Sequence, residues 1–245
     1  MGDKVPQPIE PTESASVAKS STDSVAAIRL VEYWARTLPV RSELHLIRKV
    51  WHATMGLIVV ALYLGGMPHN LALTILGGLF IFSITMELRR LRNPALNERC
   101  IRFFGPIIRS NEVNRISGMP YYIASAMIAV AIFPRDVAVL SMLFLALGDP
   151  ISSLVGILCK GRSVKILPGK SLHGTAAGFL VCAAASWFYL QSEGWAGLDL
   201  IRMVLLGGFA GAVSELLPLE LDDNFTIPVV SGFILWLGFI AMQFI

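Results

Sequence analysis

Residues 147–175 read LGDPISSLVGILCKGRSVKILPGKSLHGT, and this stretch decides how the rest of the chain is to be understood. It joins two apolar segments yet carries Asp149 beside Pro150, four basic residues, five glycines and a Gly169-Lys170-Ser171. Such a composition holds phosphate and metal rather than lipid, and it reads as one half of an active site. Residues 215–228, ELLPLELDDNFTIP, place four carboxylates between two other apolar segments and read as the second half. Between Ile151 and Cys159 the chain is apolar for only nine residues, which suits a re-entrant or protein-buried piece better than a span.

Outward from these connectors, 55% hydrophobic against 15% charged residues in 245 is too apolar for a soluble domain of this length. The chain reads as an all-α, polytopic membrane bundle. A formal charge of +3 is too small to indicate nucleic-acid binding. Cys100, Cys159 and Cys182 lie far apart, and the four histidines lack ligand spacing, so neither a disulfide framework nor a zinc site is expected.

Residues 1–24 are rich in Ser, Thr and Pro and are expected to be a disordered tail without a signal peptide. Residues 25–47 read as an amphipathic interfacial helix, with Tyr33 and Trp34 at headgroup depth, and a linker. Residues 48–245 form the membrane-embedded catalytic part. Apolar runs at 50–67, 71–86, 119–133, 137–147, 175–190, 200–213 and 227–245 predict about seven transmembrane helices, the short fourth one expected to continue into the polar stretch or to borrow residues around the turn. One set of loops holds Arg41, Arg48 and Lys49, then seven arginines between 87 and 118, then Lys160, Arg162, Lys165 and Lys170. The alternate loops hold one basic residue in all. The positive-inside rule therefore puts the N-terminus in the cytoplasm and both polar connectors together on the cytoplasmic face.

Individual residues follow from this placement. Asp149 is a carboxylate at membrane depth, where an unpaired charge is costly. Gly169-Lys170-Ser171 is not a Walker A loop, since Val164 stands where a glycine is required, but a glycine, an ammonium and a hydroxyl before a helix make an anion site. Glu215, Glu220, Asp222 and Asp223, followed by Asn224, offer the oxygen donors Mg²⁺ prefers. Glu87 with Arg90 reads equally as an intrahelical pair or a site element. Arg48, Lys49 and His52 share one helix face, as anchors or as polyphosphate contacts. Carboxylates for a metal beside cations for phosphate suit phosphoryl transfer, where catalysis is mostly positioning and charge neutralisation.

Arg48-Lys49 with Trp51-His52, Glu87-Leu88-Arg89-Arg90, Gly148-Asp149-Pro150, Gly169-Lys170-Ser171-Leu172 with Gly174-Thr175, and above all Leu221-Asp222-Asp223-Asn224-Phe225-Thr226-Ile227-Pro228 resemble the dolichol kinase, phytol kinase and CTP-dependent diacylglycerol kinase family. The likeness runs in order from Arg48 to the C-terminus. It implies an all-helical membrane enzyme that moves the γ-phosphate of CTP onto the hydroxyl of a membrane lipid alcohol: polyprenol or dolichol, phytol or diacylglycerol. The cytosine preference comes from the resemblance alone. On this reading Asp149, Asp222 and Asp223 are catalytic. Asp149, Glu215, Asp222, Asp223 and Asn224 hold Mg²⁺, and Lys170, Ser171, Arg162, Lys165 and Lys49 hold the nucleotide, with Arg89 a weaker candidate. His173 departs from the acidic or small residue common at its position. The alternatives are a cytidylyltransferase making a CDP-lipid, and a transporter or lipid scramblase. Oligomeric state is unreadable.

Overall fold

The computed structural model describes residues 46–219, 221–242 and 244, together with Arg29 and Tyr33. The expected N-terminal tail and interfacial helix lie outside the described residues, apart from those two and the last two linker positions. The helices are α1 (Leu46–Leu64), α2 (His69–Arg92), α3 (Pro94–Phe104), α4 (Gly118–Ile132), α5 (Arg135–Leu158), α6 (Leu172–Ser192), α7 (Gly197–Leu216) and α8 (Asp223–Ala241). The chain is a helical membrane bundle. Among the described residues α1, α2, α5, α7 and α8 are long and apolar enough to cross a bilayer, whereas α4 is apolar but shorter.

Polar punctuation sets the boundaries. Asn93 accepts hydrogen bonds from the Ala95 and Leu96 N–H groups and, with Pro94 behind it, starts α3. Ser117, Ser171 and Asp222 cap α4, α6 and α8 in the same way. Gly66, at φ +92°, supplies the left-handed residue in the α1–α2 turn.

α5 is the spine of the core. Val137, Leu140, Phe144 and Leu145 are fully buried, and helices α1, α4, α6 and α8 pack around it. α6 and α7 approach closely because Gly207, Gly208 and Gly211 face Ser186, Phe179 and Cys182, leaving no room for a Cβ. Pro228, inside α8, cannot donate to the Asn224 carbonyl four residues earlier. Ser125 Oγ on α4 donates to that carbonyl instead, at 2.8 Å, so the missing bond becomes an interhelical one.

One expectation is corrected. Residues 151–159 are not a separate re-entrant piece: the short fourth run continues through Asp149-Pro150 to Leu158 as one 24-residue helix. A π-turn at Phe144–Gly148 precedes the proline, and the Asp149 N–H bonds back to Phe144 O, five residues away. The bonding register shifts where Pro150 brings no N–H, so the helix bends its ladder and does not end. The all-α expectation holds for the bundle. The connector after α5 folds into a small antiparallel hairpin, β1 (Lys165–Leu167) and β2 (Lys170–Ser171), turning at Gly169 with φ +79°.

Candidate active site

Both polar connectors open onto one cavity of about 560 Å³. Its walls are the first turns of α1, the second half of α5, the hairpin, the start of α6, the end of α7 and the start of α8. Of the residues singled out in the sequence, the acidic or amide groups Asp149, Glu215, Asp223 and Asn224 line it together with Lys49, Lys165, Lys170, Ser171, Arg48 and His52. Four separate chain segments converge here.

Lys170 bridges the halves. Its Nζ lies 3.5 Å from Glu215 Oε1 and 3.6 Å from Asp223 Oδ2, tying the hairpin to α7 and α8. Lys49 donates to Ser153 Oγ at 2.6 Å and reaches the Pro150 carbonyl at 3.5 Å, which fixes α1 against α5 one turn from Asp149. Asn224 is buried, and its Nδ2 donates to the Gly118 carbonyl at 3.0 Å, holding α4 to the site.

Other candidates stand elsewhere. Asp222 is not in the cavity lining. Its Oδ1 accepts the Asn224 N–H at 3.0 Å as the α8 cap, and burial pushes its carboxyl above the usual range, against the lowering pull of that bond and of Arg109. Arg162 and Arg89 are exposed and do not line the cavity, and Glu220 lies outside the described residues. Ser171 spends its hydroxyl on the Gly174 N–H as the α6 cap. His173, the departing position, is exposed and contacts Ser163 through Nδ1 at 2.7 Å, away from the acidic wall. Glu87 and Arg90 are structural: Arg90 is 3% exposed and donates to Glu87, Asn97 and the carbonyls of Glu112, Val113 and Arg115.

Arg48 also has a structural task, gripping both oxygens of Glu112 at 2.8 and 2.9 Å and the Ile107 carbonyl at 2.6 Å. Arg109 was one of seven loop arginines with nothing to separate it in the sequence, yet it alone of the seven lines the cavity. Only the fold of residues 105–117 distinguishes it.

The donors suit magnesium. Among the described residues no three His, Cys, Asp or Glu groups form a closed cage. Mg²⁺ normally takes one or two carboxylates and completes its shell with phosphate and water. Glu215 and Asp223 meet at one ammonium, and Asp149 shares their cavity, so hard oxygen donors of that number are at hand.

The chain is similar to proteins named CTP-dependent diacylglycerol kinase 1 in three fungi. It is 32% identical to that of Eremothecium gossypii over 76% of this chain and 64% of the relative. For Saccharomyces cerevisiae the values are 31%, 76% and 70%, and for Schizosaccharomyces pombe 32%, 78% and 91%. The match thus spans less than two thirds of the Eremothecium protein. No family model matches the chain, and no solved structure matches it.

Proposed function

Since the chain belongs to the CTP-dependent diacylglycerol kinase family, we propose that it transfers the γ-phosphate of CTP to the hydroxyl of a membrane lipid alcohol, with diacylglycerol as the acceptor. The observation that carries this reading is the single cavity in which Asp149, Glu215 and Asp223 face Lys49, Lys165 and Lys170. A carboxylate cluster alone is an acidic loop, and a lysine cluster alone is a positive-inside flank. Together they match a metal–polyphosphate.

In the proposed step a bond forms between the acceptor oxygen and the γ-phosphorus while the bond from that phosphorus to the β-bridging oxygen breaks. CDP leaves, and a site carboxylate, Asp149 in this assignment, takes the hydroxyl proton. Glu215 and Asp223, with Asn224 in support, would hold Mg²⁺, which supplies charge neutralisation at the phosphates. Lys170, Lys165 and Lys49 bind the phosphate chain. Asp222 contributes by capping α8 and so setting the direction of Asp223. The distribution of basic loops supports a cytoplasmic opening for this cavity.

The test is purified protein in phosphatidylcholine nanodiscs with γ-labelled CTP, Mg²⁺ and a panel of diacylglycerol, polyprenol and phytol. Label is expected in the organic extract with diacylglycerol and CDP as co-product. Pyrophosphate as co-product would instead mean a cytidylyltransferase, and no label with any acceptor would overturn the kinase assignment. Asp223→Asn is expected to lower transfer at least about a thousandfold, the scale of a lost electrostatic transition-state contact, while the protein stays in the membrane fraction.

A further inference from the structure

Seven arginines lie between residues 87 and 118, and the structure divides them into three kinds. Arg89, Arg92, Arg99, Arg102 and Arg115 are exposed, as expected of charges that only mark the cytoplasmic side. Arg90 is buried and spent on the loop's own carbonyls. Arg109 is half-buried and lines the same cavity as the hairpin lysines.

Its position is built. Glu112, 4% exposed, accepts the Arg109 N–H at 3.1 Å while its own N–H donates to the Arg109 carbonyl at 2.9 Å, closing a tight turn around the arginine. The same carboxylate is gripped by Arg48 from α1, and the Glu112 carbonyl by Arg90 from α2 at 3.0 Å. Two helices thus clamp one buried glutamate, and the residue presented by that clamp is a cation lining the cavity. Topological sorting needs no such clamp.

We propose that Arg109 is a phosphate-binding residue of the active site, and that Glu112 is the positioning residue that presents it. The proposal rests on the kinase reading above. An arginine there offers a planar fork to phosphoryl oxygens, complementing the point charges of Lys49 and Lys170, which line the same cavity. The loop between α3 and α4 thereby belongs to the site. The phosphate bound is either the donor's terminal group or that of the phosphorylated lipid product; both present the same oxygens.

Direct binding of Mg²⁺–CTP, inhibition by dioctanoyl phosphatidate and thermal unfolding would be measured in phosphatidylcholine nanodiscs for wild type, Arg109→Gln, Arg109→Lys, Glu112→Gln and Arg115→Gln. Arg109→Gln is expected to weaken CTP binding, product inhibition or both by about tenfold or more, the scale of a charge-assisted hydrogen bond. Arg109→Lys should recover part of this, and Arg115→Gln should behave as wild type. Glu112→Gln should weaken the same ligand without raising the KM for diacylglycerol, and combining it with Arg109→Gln should add little further. Loss of CTP affinity assigns the donor's phosphate and loss of product inhibition the lipid's. If both constants stay at wild-type values in a folded Arg109→Gln protein, the proposal is overturned. A lysine variant that is folded and unaltered while glutamine merely lowers the unfolding temperature would overturn it as well. Wild-type protein that binds no nucleotide would instead remove the kinase reading beneath it.

Discussion

Replacing Lys170 by Met should destabilise the protein without metal and make it more responsive to magnesium. The ammonium sits 3.5 Å from Glu215 and 3.6 Å from Asp223, and at an effective dielectric of about 20 each pair is worth roughly 5 kcal/mol of attraction. Much of that is offset by the cost of desolvating the three charges. The side chains are 18%, 9% and 26% exposed, so solvent screens Asp223 more than Glu215. A net loss of about 2–3 kcal/mol remains, concentrated on Glu215, which the variant leaves without the ammonium beside it. For a chain of this size that is a fall of roughly 5–10 °C in unfolding temperature. A divalent ion can then take the place between the carboxylates without displacing Lys170. Magnesium at about ten times its dissociation constant should restore roughly 1.4 kcal/mol. Wild type should gain less, because its own ammonium competes. Thermal unfolding in nanodiscs, with and without millimolar Mg²⁺ and no nucleotide, measures both effects. Equal magnesium responses in the two proteins, or an unchanged unfolding temperature in metal-free buffer, would refute the reasoning.

Two further outcomes follow from the packing. Arg90→Lys replaces a fork that makes six hydrogen bonds with a single ammonium. It should cost about 3–5 kcal/mol and speed tryptic cleavage at Arg109 and Arg115, seen as shorter fragments by mass spectrometry. Gly211→Ala drives a methyl into Cys182 Sγ and Cβ across the α6–α7 interface and should cost about 1–3 kcal/mol. Cys182→Ala in the same protein should return part of that in the unfolding temperature.

The apolar runs were legible because a lipid-facing helix must be apolar over its whole length, and each run expected as a span overlaps one helix of the bundle, though runs such as the first and third reach past the ends of α1 and α4. The meeting of the two connectors was legible as well, since loop charge fixes which ends share a side. What escaped depended on hydrogen-bond register and on tertiary partners. Asp149-Pro150 looks like a helix stop in any local reading, and only the π-turn ahead of it makes continuation possible. Asp222 and Asp223 are chemically alike and adjacent. The α8 N-terminus takes the first as its cap and leaves the second to Lys170, a division that needs the backbone direction to be known. Arg109 has the same sequence environment as its exposed neighbours, and its difference lies in Glu112, whose partners come from 64 residues upstream in one case and 22 in the other.

The continuity of α5 bears on how a water-soluble donor and a lipid acceptor reach the same atoms. Asp149 lies nine residues before Leu158, the last residue of its helix, hence roughly 14 Å along the axis from the hairpin end at 1.5 Å per residue. Had the helix stopped at Asp-Pro, that carboxylate would stand at the rim with the lysines, and an acceptor hydroxyl would have to leave the bilayer to meet it. With the helix carried on to Leu158, Asp149 and the hairpin lysines Lys165 and Lys170 line one cavity. Lys49, held by Ser153 within a turn of Asp149, keeps a positive charge beside that carboxylate, where on the proposed reading a γ-phosphate would meet the acceptor hydroxyl. On the proposed kinase reading, the π-turn that lets the helix pass its own proline is what would let a water-soluble donor and a lipid acceptor meet at Asp149.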